Sequence, residues 1–227
     1  MSEIKQHPLV NTIDYTSTEL ILILIGTFFW IYAYYFIIRD AIKYKRVEMP
    51  FLAVSSNIAW EFSWGFMLYT DLGSIFEWGL RIWFFLDVFI FYYTVKYGSA
   101  QMTKNIFGKY FTAFMLLITA WWIPVFYWFE KEGHDTLMGT TSAYLITVVM
   151  AALFVYNGTR KVAGVIITKN VAWSNFIGNL FMSVFVYLHH PNAHFLHLLT
   201  IAVSVLNIIY IMQSYKQKDF NTLSTNI

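Results

Sequence analysis

The strongest constraint on the fold of this chain is a series of seven apolar stretches, each about 20 residues long and separated by short polar segments. A membrane-spanning helix needs about 20 mostly apolar residues to cross about 30 Å of hydrocarbon. Only 12% of the residues are charged, about half the share in soluble domains. The sequence therefore predicts an all-α integral membrane protein, a multi-pass bundle of seven transmembrane helices that forms a single domain over residues 1–227. The predicted spans are about 19–38, 49–70, 79–97, 110–129, 138–157, 171–188 and 195–214.

Basic residues predict the orientation of this bundle. Positive charge collects in the cytoplasmic loops of membrane proteins, which places the N-terminus outside and the C-terminus in the cytoplasm. Most of the 15 Lys and Arg residues lie on the predicted cytoplasmic side: Arg39, Lys43, Lys45, Arg46, Lys96, Lys104, Lys109, Arg160, Lys161, Lys169, Lys216 and Lys218. The exceptions are Lys5, Arg81 and Lys131. The indoles Trp30, Trp78, Trp128 and Trp173 lie toward span ends and are predicted to be interface anchors.

Composition excludes several classes of function. The chain has no Cys, which excludes a thiol nucleophile and a Cys-ligated metal. A net charge of +2 does not indicate a nucleic-acid partner, and no obligate protein partner is evident. The histidines around His189–His197 fall at the predicted outer end, and we expect no acidic residue near them to complete a site, so we predict solvated or interfacial histidines and no metal site. No cofactor is predicted.

Two carboxyl groups fall inside the predicted spans. Glu61 is twelve residues in from Met49, which is about 18 Å along a helix and close to the bilayer midplane. Asp87 comes at a similar depth in the next span. An ionisable group at that depth costs several kcal/mol unless it finds a partner or a wet cavity, so each is a candidate functional residue. The alternative is a structural role, in which hydrogen bonds join helices at about 0.6 kcal/mol per contact.

Other polar and aromatic side chains share the depth or the helix face of these two acids. Asn57 precedes Glu61 by four residues and so lies on the same face. A carboxyl group in apolar surroundings tends to keep its proton, and it can deliver that proton to an alkene or an epoxide. Aromatic faces would stabilise the cation that results. The candidate cavity residues are Asn57, Trp60, Trp64, Trp83, Phe91, Asn207 and Tyr210.

The segment Asn57-Ile-Ala-Trp60-Glu61-Phe62 resembles a signature in the second helix of the small integral membrane terpene cyclases of meroterpenoid and indole-terpenoid biosynthesis. That family has seven spans and about this length. The segment Arg81-Ile-Trp83-Phe-Phe-Leu-Asp87 also resembles the pattern of its third span. The resemblance covers the whole topology, although its sharpest motif is six residues long.

The resemblance implies a non-redox, metal-independent cyclase of the isomerase or lyase type. In that family an acidic residue protonates an epoxide or double bond of a prenyl chain, which then closes into rings through carbocations. Glu61 would be the general acid and Asn57 would orient it. The implied catalytic residues are Glu61, Asp87 and Asn207, and the implied substrate-binding residues are Asn57, Trp60, Trp64, Trp83, Phe91 and Tyr210. The implied partners are a lipophilic prenylated small molecule and the lipid bilayer.

The last span departs from the family pattern. The family usually has a second functional acid there, an Asp ahead of a Tyr, whereas this chain has Asn207 ahead of Tyr210 and no carboxyl group in residues 195–214. Three interpretations follow: Asp87 supplies the second acid, Asn207 acts only through hydrogen bonds, or the chain carries out different chemistry.

Two other functions compete with a cyclase. A proton-coupled carrier of a small lipophilic substrate would also use intramembrane acids, but the seven spans do not divide into the repeated halves that carriers commonly show. A non-catalytic lipid-binding membrane protein would use Glu61 and Asp87 only for structure. Retinal binding is disfavoured because residues 195–214 contain no Lys for a Schiff base.

Overall fold

The structure is a computed structural model that describes residues 8–101, 109–135, 139–160 and 165–216. Within these ranges it contains seven long α-helices and no strand, which confirms the all-α prediction. The helices are α1 (Ser17–Tyr44), α2 (Phe51–Phe62), α3 (Ser74–Tyr97), α4 (Phe111–Lys131), α5 (Thr140–Arg160), α6 (Lys169–His189) and α7 (His194–Lys216). A π-helical turn, Ser63–Met67, continues α2. Some positions used in the sequence predictions lie outside the described residues: Lys5, Lys104, Lys161, Lys218 and the predicted span start at residue 138.

Five of these helices are long and apolar enough to cross a membrane: α1, α4, α5, α6 and α7. Helix α2 has only 12 residues, which is about 18 Å of α-helix and short of the hydrocarbon thickness. Helix α3 is long enough but carries Glu77, Arg81, Asp87 and Lys96. The count of seven crossings, the orientation and the single domain over residues 1–227 therefore remain predictions.

Local sequence signals set where the first and third helices begin. Thr16 and Glu19 form a capping box at the start of α1, each side chain accepting a hydrogen bond from the other residue's backbone N–H, which satisfies N–H groups that a helix start leaves free. Helix α3 begins at Ser74, five residues before the predicted span. Gly73 precedes it with a φ of 111°, and a Cβ there would lie 2.7 Å from the carbonyl oxygen of Leu9. The N-terminal segment therefore packs against the start of α3.

Six helices form a closed ring, in the order α1, α3, α2, α5, α7 and α6, with α6 returning to α1. Helix α4 packs on α2 from outside this ring and is the least buried of the five long apolar helices. The α1–α6 contact is close because Gly26 and Gly178 face each other: a Cβ on either residue would lie 3.1 Å from the other's carbonyl oxygen. Small residues at such crossings let two helix backbones approach.

One end of the ring is closed by an apolar cluster and a buried hydrogen-bond network. The cluster includes Phe36, Met49 and Ile90. Beside it, the carboxylate of Glu48 accepts hydrogen bonds from the backbone N–H and the hydroxyl of Thr168, both at 2.8 Å, and from Tyr210 Oη at 2.7 Å. Glu48 thus ties the α1–α2 connection to the start of α6 and to α7. This end forms the floor of the cavity described next.

Candidate active site

A cavity of about 230 Å³ lies inside the ring of six helices. It extends from a mouth, formed by Tyr15, Asp71 and Gly139, to a floor near Phe154 and Asn207. None of the described α4 residues lines it. Most of its wall is aromatic or aliphatic, with a few polar groups at separate places, which is the usual make-up of a site for a small apolar ligand.

Glu61 lies on the wall of this cavity, in the last turn of α2. The residue is buried, with 5% of its surface exposed. Its Oε2 atom has no hydrogen-bond partner within the part of the chain that the structure describes. Buried polar atoms are nearly always paired, so an unpaired oxygen on a carboxyl group whose residue lines a cavity requires an explanation. A ligand that accepts its proton would supply the missing partner.

The π-helical turn directly after Phe62 shapes the backbone around Glu61. The N–H of Leu68 bonds to the carbonyl oxygen of Ser63, five residues earlier, at 2.8 Å. The carbonyl oxygen of Gly65 accepts a hydrogen bond from Arg81 Nε of α3 at 2.9 Å. Single π turns in α-helices occur often at functional sites. Because the turn Ser63–Met67 has i to i+5 hydrogen bonding, the side chains after Glu61 point in directions that differ from those of a continuous α-helix.

The indole of Trp60 is held by the start of α5. Its Nε1 donates to Ser142 Oγ at 2.9 Å. Asp135 in turn accepts hydrogen bonds from the backbone N–H groups of Thr141 and Ser142 at 3.1 and 3.2 Å. A carboxylate that caps the first N–H groups of a helix stabilises that helix end. Asp135 therefore fixes the segment that orients Trp60.

Trp64 packs against a glycine at the same end of the cavity. Gly139 has a φ of 86°, and a Cβ there would lie 2.7 Å from the indole ring of Trp64. The Trp64 side chain is almost completely buried. The ring centroids of Trp60 and Trp64 are 6.1 Å apart, so the two indoles form one continuous surface next to Glu61.

Asp87 and Asn57 form a buried cluster with Tyr34. Asn57 Nδ2 donates to Tyr34 Oη at 2.5 Å and to Asp87 Oδ2 at 2.7 Å. Asn57 and Tyr34 line the cavity, whereas Asp87 lies behind them and is 1% exposed. Asp87 is close enough to Glu61 for their charges to repel each other. The Asn57 amide donates to Asp87 rather than to Glu61, so any effect of Asn57 on Glu61 would pass through this cluster.

A second group of aromatic rings lines the cavity from α1 and α3. The Trp83 ring lies 5.8 Å from the Trp30 ring and 5.7 Å from the Tyr34 ring, both edge to face. Trp30 Nε1 donates to Asn179 Oδ1 at 3.1 Å. The prediction that Trp30 is an interface anchor is wrong, because α1 extends to Tyr44 and places Trp30 near its middle. Gly178 leaves the space on α6 for this indole.

Several polar residues on the cavity wall were not among the predicted candidates. Asn175 and Asn179 lie four residues apart on α6, and Thr27 and Thr147 line the cavity from α1 and α5. The pair of asparagines in a long apolar run was a usable signal, since residues at that spacing share a face. Asn207, which was a candidate, lines the floor, and its Nδ2 has no hydrogen-bond partner among the described residues.

Two predicted substrate-binding residues, Phe91 and Tyr210, do not line this cavity. Phe91 packs against the apolar cluster at the closed end. Tyr210 is buried in the same cluster, and its hydroxyl donates to Glu48. The remaining candidates, Trp60, Trp64, Trp83, Asn57 and Asn207, line the cavity together with Glu61.

At the mouth, polar side chains from three segments meet. Tyr15 Oη donates to Asp71 Oδ1 at 2.8 Å, and the Tyr15 ring stacks on His189 with centroids 4.4 Å apart. His189 Nδ1 lies 3.1 Å from Glu19 Oε1. The expectation that no acidic residue lies near the histidines is therefore wrong, because the fold brings α1 beside the end of α6. Among the described residues, no three His, Asp or Glu side chains are grouped to hold a metal ion.

Comparison with known proteins identifies one family. The model of the Pyr4-like transmembrane terpene cyclases matches residues 4–157. A curated relative, the Pyr4-family terpene cyclase mfmH of Annulohypoxylon moriforme, is 35% identical over 72 residues, which is 32% of this chain and 29% of the relative. The match thus spans less than a third of that relative's length. No solved structure matches the chain.

Proposed function

Because the chain belongs to the Pyr4-like transmembrane terpene cyclases, and is therefore an integral multi-pass membrane protein, we propose that it is an acid-initiated terpene cyclase. In this proposal Glu61 protonates an epoxide or an alkene of a prenyl chain, and the chain closes into rings through carbocations. The observation that carries the proposal is the Glu61 carboxyl group, buried on the wall of an aromatic cavity with an unpaired oxygen.

The first step transfers the proton of the Glu61 carboxyl group to the substrate. With an epoxide, the oxygen takes the proton and the bond to the more substituted carbon breaks. With an alkene, one carbon takes the proton and the other becomes cationic. Burial in an apolar wall favours the neutral acid before the reaction. The reaction uses this carboxyl group as a general acid, a role that contributes typically 10²- to 10⁴-fold to a rate.

The later steps need a wall that stabilises positive charge without reacting with it. Each neighbouring double bond attacks the cation, forms a carbon–carbon bond and moves the charge along the chain. The rings of Trp30, Trp60, Trp64 and Trp83 line the space where the charge would move. A cation within about 6 Å of an aromatic face is stabilised by about 2 kcal/mol or more in a desolvated site.

The last step returns a proton from carbon to the protein and leaves a double bond. The Glu61 carboxylate produced in the first step is one acceptor. Asp87 is another, and it would act through the hydroxyl of Tyr34, which lines the cavity, gives up its proton to Asp87 and takes one from the substrate. Asn207 can only orient the substrate, since an amide does not take up a proton at neutral pH. The sum of the steps is an isomerisation in which substrate and product have the same atoms.

The test is conversion by purified protein in lipid nanodiscs. Neutral phenols and indoles that carry farnesyl or geranylgeranyl chains would be supplied with and without a terminal epoxide. The expected product has the mass of its substrate but fewer double bonds by NMR. A carrier would instead move the substrate into vesicles together with a proton flux, and the substrate recovered would be chemically unchanged. A lipid-binding protein would bind the substrate and also leave it chemically unchanged. Either of those results, with no cyclic product, would contradict the proposal.

A further inference from the structure

The mouth of the cavity contains a carboxylate that the cyclisation chemistry does not use. Asp71 lines the cavity at the end opposite Asn207 and is half-buried. A carboxylate is an expensive group to place beside an apolar ligand site unless it is paired.

Asp71 is held by contacts from two directions. Tyr15 Oη donates to its Oδ1 at 2.8 Å, and Asn11 Nδ2 donates to its backbone carbonyl oxygen at 2.9 Å. Burial, and then the hydrogen bond to Asp71, raise the pKa of the Tyr15 phenol well above its ordinary value, so Tyr15 keeps the proton that it donates. The stacked His189 and its partner Glu19 support the Tyr15 ring from behind. The carboxylate is therefore fixed in position before any ligand binds.

The charges of the cavity wall indicate which head groups would fit. The acidic side chains among the described lining residues are Glu61 and Asp71, and none of these residues is Lys, Arg or His. An anionic head group such as a diphosphate would meet a carboxylate and no cation. A neutral head group with an O–H or N–H would instead donate to Asp71. Hydrogen bonds of that kind, to an ionised acceptor, are roughly twice as strong as neutral ones.

The distances along the cavity are compatible with one amphiphilic ligand. On α5 the lining residues run from Thr140 to Phe154, which is about 21 Å of helix. Glu61 lies about 10 Å along the helix axis from Leu68 at the end of the π turn, and so between mouth and floor. A head group at Asp71 would leave a prenyl chain lying past the indoles and past Glu61.

We propose that Asp71, held by Tyr15, binds the head group of the substrate through a hydroxyl or N–H donor and so sets which part of the prenyl chain meets Glu61. This inference rests on the proposed function, since it concerns the substrate of the same cavity. It adds a neutral, hydrogen-bond-donating head group to the description of that substrate.

The experiment compares a neutral farnesylated phenol with its O-methyl ether, which lacks the donor. Binding is followed by quenching of the cavity tryptophans, and turnover by product formation. The wild-type protein should bind the phenol about 10-fold or more tightly than the ether. Asp71→Leu should bind the two alike. Asp71→Asn, which keeps a neutral acceptor, should retain a smaller preference. The control Glu132→Gln changes an exposed carboxylate between α4 and α5 and should behave as wild type.

Each result decides one proposal. The assignment of Asp71 is overturned if the wild type binds the phenol no more tightly than the ether, or if a folded Asp71→Leu variant still binds the phenol more tightly by the wild-type ratio. In either case, formation of a cyclic product would still support the cyclase. If Asp71 controls binding but no cyclic product forms, the proposed function fails and the head-group site remains. Should Asp71→Leu fail to fold, the isosteric Asp71→Asn and Tyr15→Phe, judged by the same binding ratio, decide the assignment.

Discussion

Buried carboxyl groups in this chain differ in what surrounds them, and this difference separates structural from functional roles. Glu48 accepts three hydrogen bonds from Thr168 and Tyr210. Asp87 accepts one from Asn57. Glu61 has an oxygen without a partner in the described structure, and this residue alone of the three lines the cavity. A fully paired acid stabilises a fold, whereas an unpaired acid on a cavity wall is available to a ligand.

Glu48 predicts a pH dependence of stability. Burial raises the pKa of Glu48 to about 8, although hydrogen bonds from Thr168 and Tyr210 oppose this. The folded protein then binds the Glu48 proton more tightly than the unfolded chain, so the free energy of unfolding falls as pH rises from about 4.5 to about 8. The slope from one group is at most about 1.4 kcal/mol per pH unit.

The variant Glu48→Gln should remove this slope with little loss of stability. Its amide oxygen can accept from the Thr168 N–H and Tyr210, and its NH₂ can donate to the Thr168 hydroxyl. Glu48→Ala should cost about 1–3 kcal/mol, because it leaves buried donors unpaired. Unfolding in mild detergent between pH 5 and pH 8 measures both effects. An identical pH slope in wild type and Glu48→Gln would contradict the assignment.

At the scale of elements, the end of α2 and the start of α5 form one unit around Glu61. The π turn, the Asp135 cap and the contact of Gly139 with Trp64 together fix the indoles next to the acid. Arg81 of α3 also holds this unit, by donating to the carbonyl oxygen of Gly65 in the π turn.

The contact between Gly139 and Trp64 can be tested with a matched pair of variants. Gly139→Ala places a methyl group 2.7 Å from the Trp64 ring and should shift that indole. Gly133→Ala has a similar positive φ of 75° but no atom within 4 Å of the added Cβ. Both variants should lose about 1 kcal/mol through backbone strain. We expect only Gly139→Ala to reduce kcat/KM, by about 10-fold or more, since reacting groups tolerate little misplacement. Equal activity of the two variants would show that the Trp64 position is unimportant.

Helices α4 to α7 could be predicted from the sequence to within three residues, because each is an apolar run between polar segments. The predicted ends of α1 and α2 and the predicted start of α3 differ from the structure by six, eight and five residues. The π turn after Phe62 could not be predicted, since hydropathy does not distinguish a bond to the fifth residue from one to the fourth. Trp30 was misassigned although it lies near the middle of both the predicted span and α1, because tryptophan in a membrane protein often lies at the interface. Glu61 was identified because a charge in an apolar run is rare. Asn175 and Asn179 were missed because they carry no charge.

At the scale of the whole molecule, six helices enclose the cavity and α4 lies outside them. This arrangement accounts for the presence of the short α2 and the charged α3 in a membrane protein. Both are members of the ring, and polar side chains in them pair across the α2–α3 contact: Asn57 with Asp87, and Arg81 with the backbone of the π turn. A segment with polar groups can lie at membrane depth when the protein covers those groups.

The predicted topology places Lys43 in the cytoplasm and both Ile13 and Tyr69 outside. Because the chain has no Cys, single cysteines can report the side directly. We expect Lys43→Cys to react with a membrane-impermeant maleimide only from the cytoplasmic side, and Ile13→Cys and Tyr69→Cys only from the other side. Labelling of Lys43→Cys and Tyr69→Cys from the same side would show that α2 does not cross the membrane.

The most direct test of the central claim is the rate of product formation by Glu61→Gln compared with Glu130→Gln. Glu130 is a matched control, because it also has a buried oxygen with no partner among the residues that the structure describes, at the end of an apolar helix, but it does not line the cavity. We predict that Glu61→Gln binds the substrate as wild type does and loses at least about 10²-fold in kcat, while Glu130→Gln keeps full activity. A Glu61→Gln variant that forms the cyclic product at the wild-type rate would contradict the account.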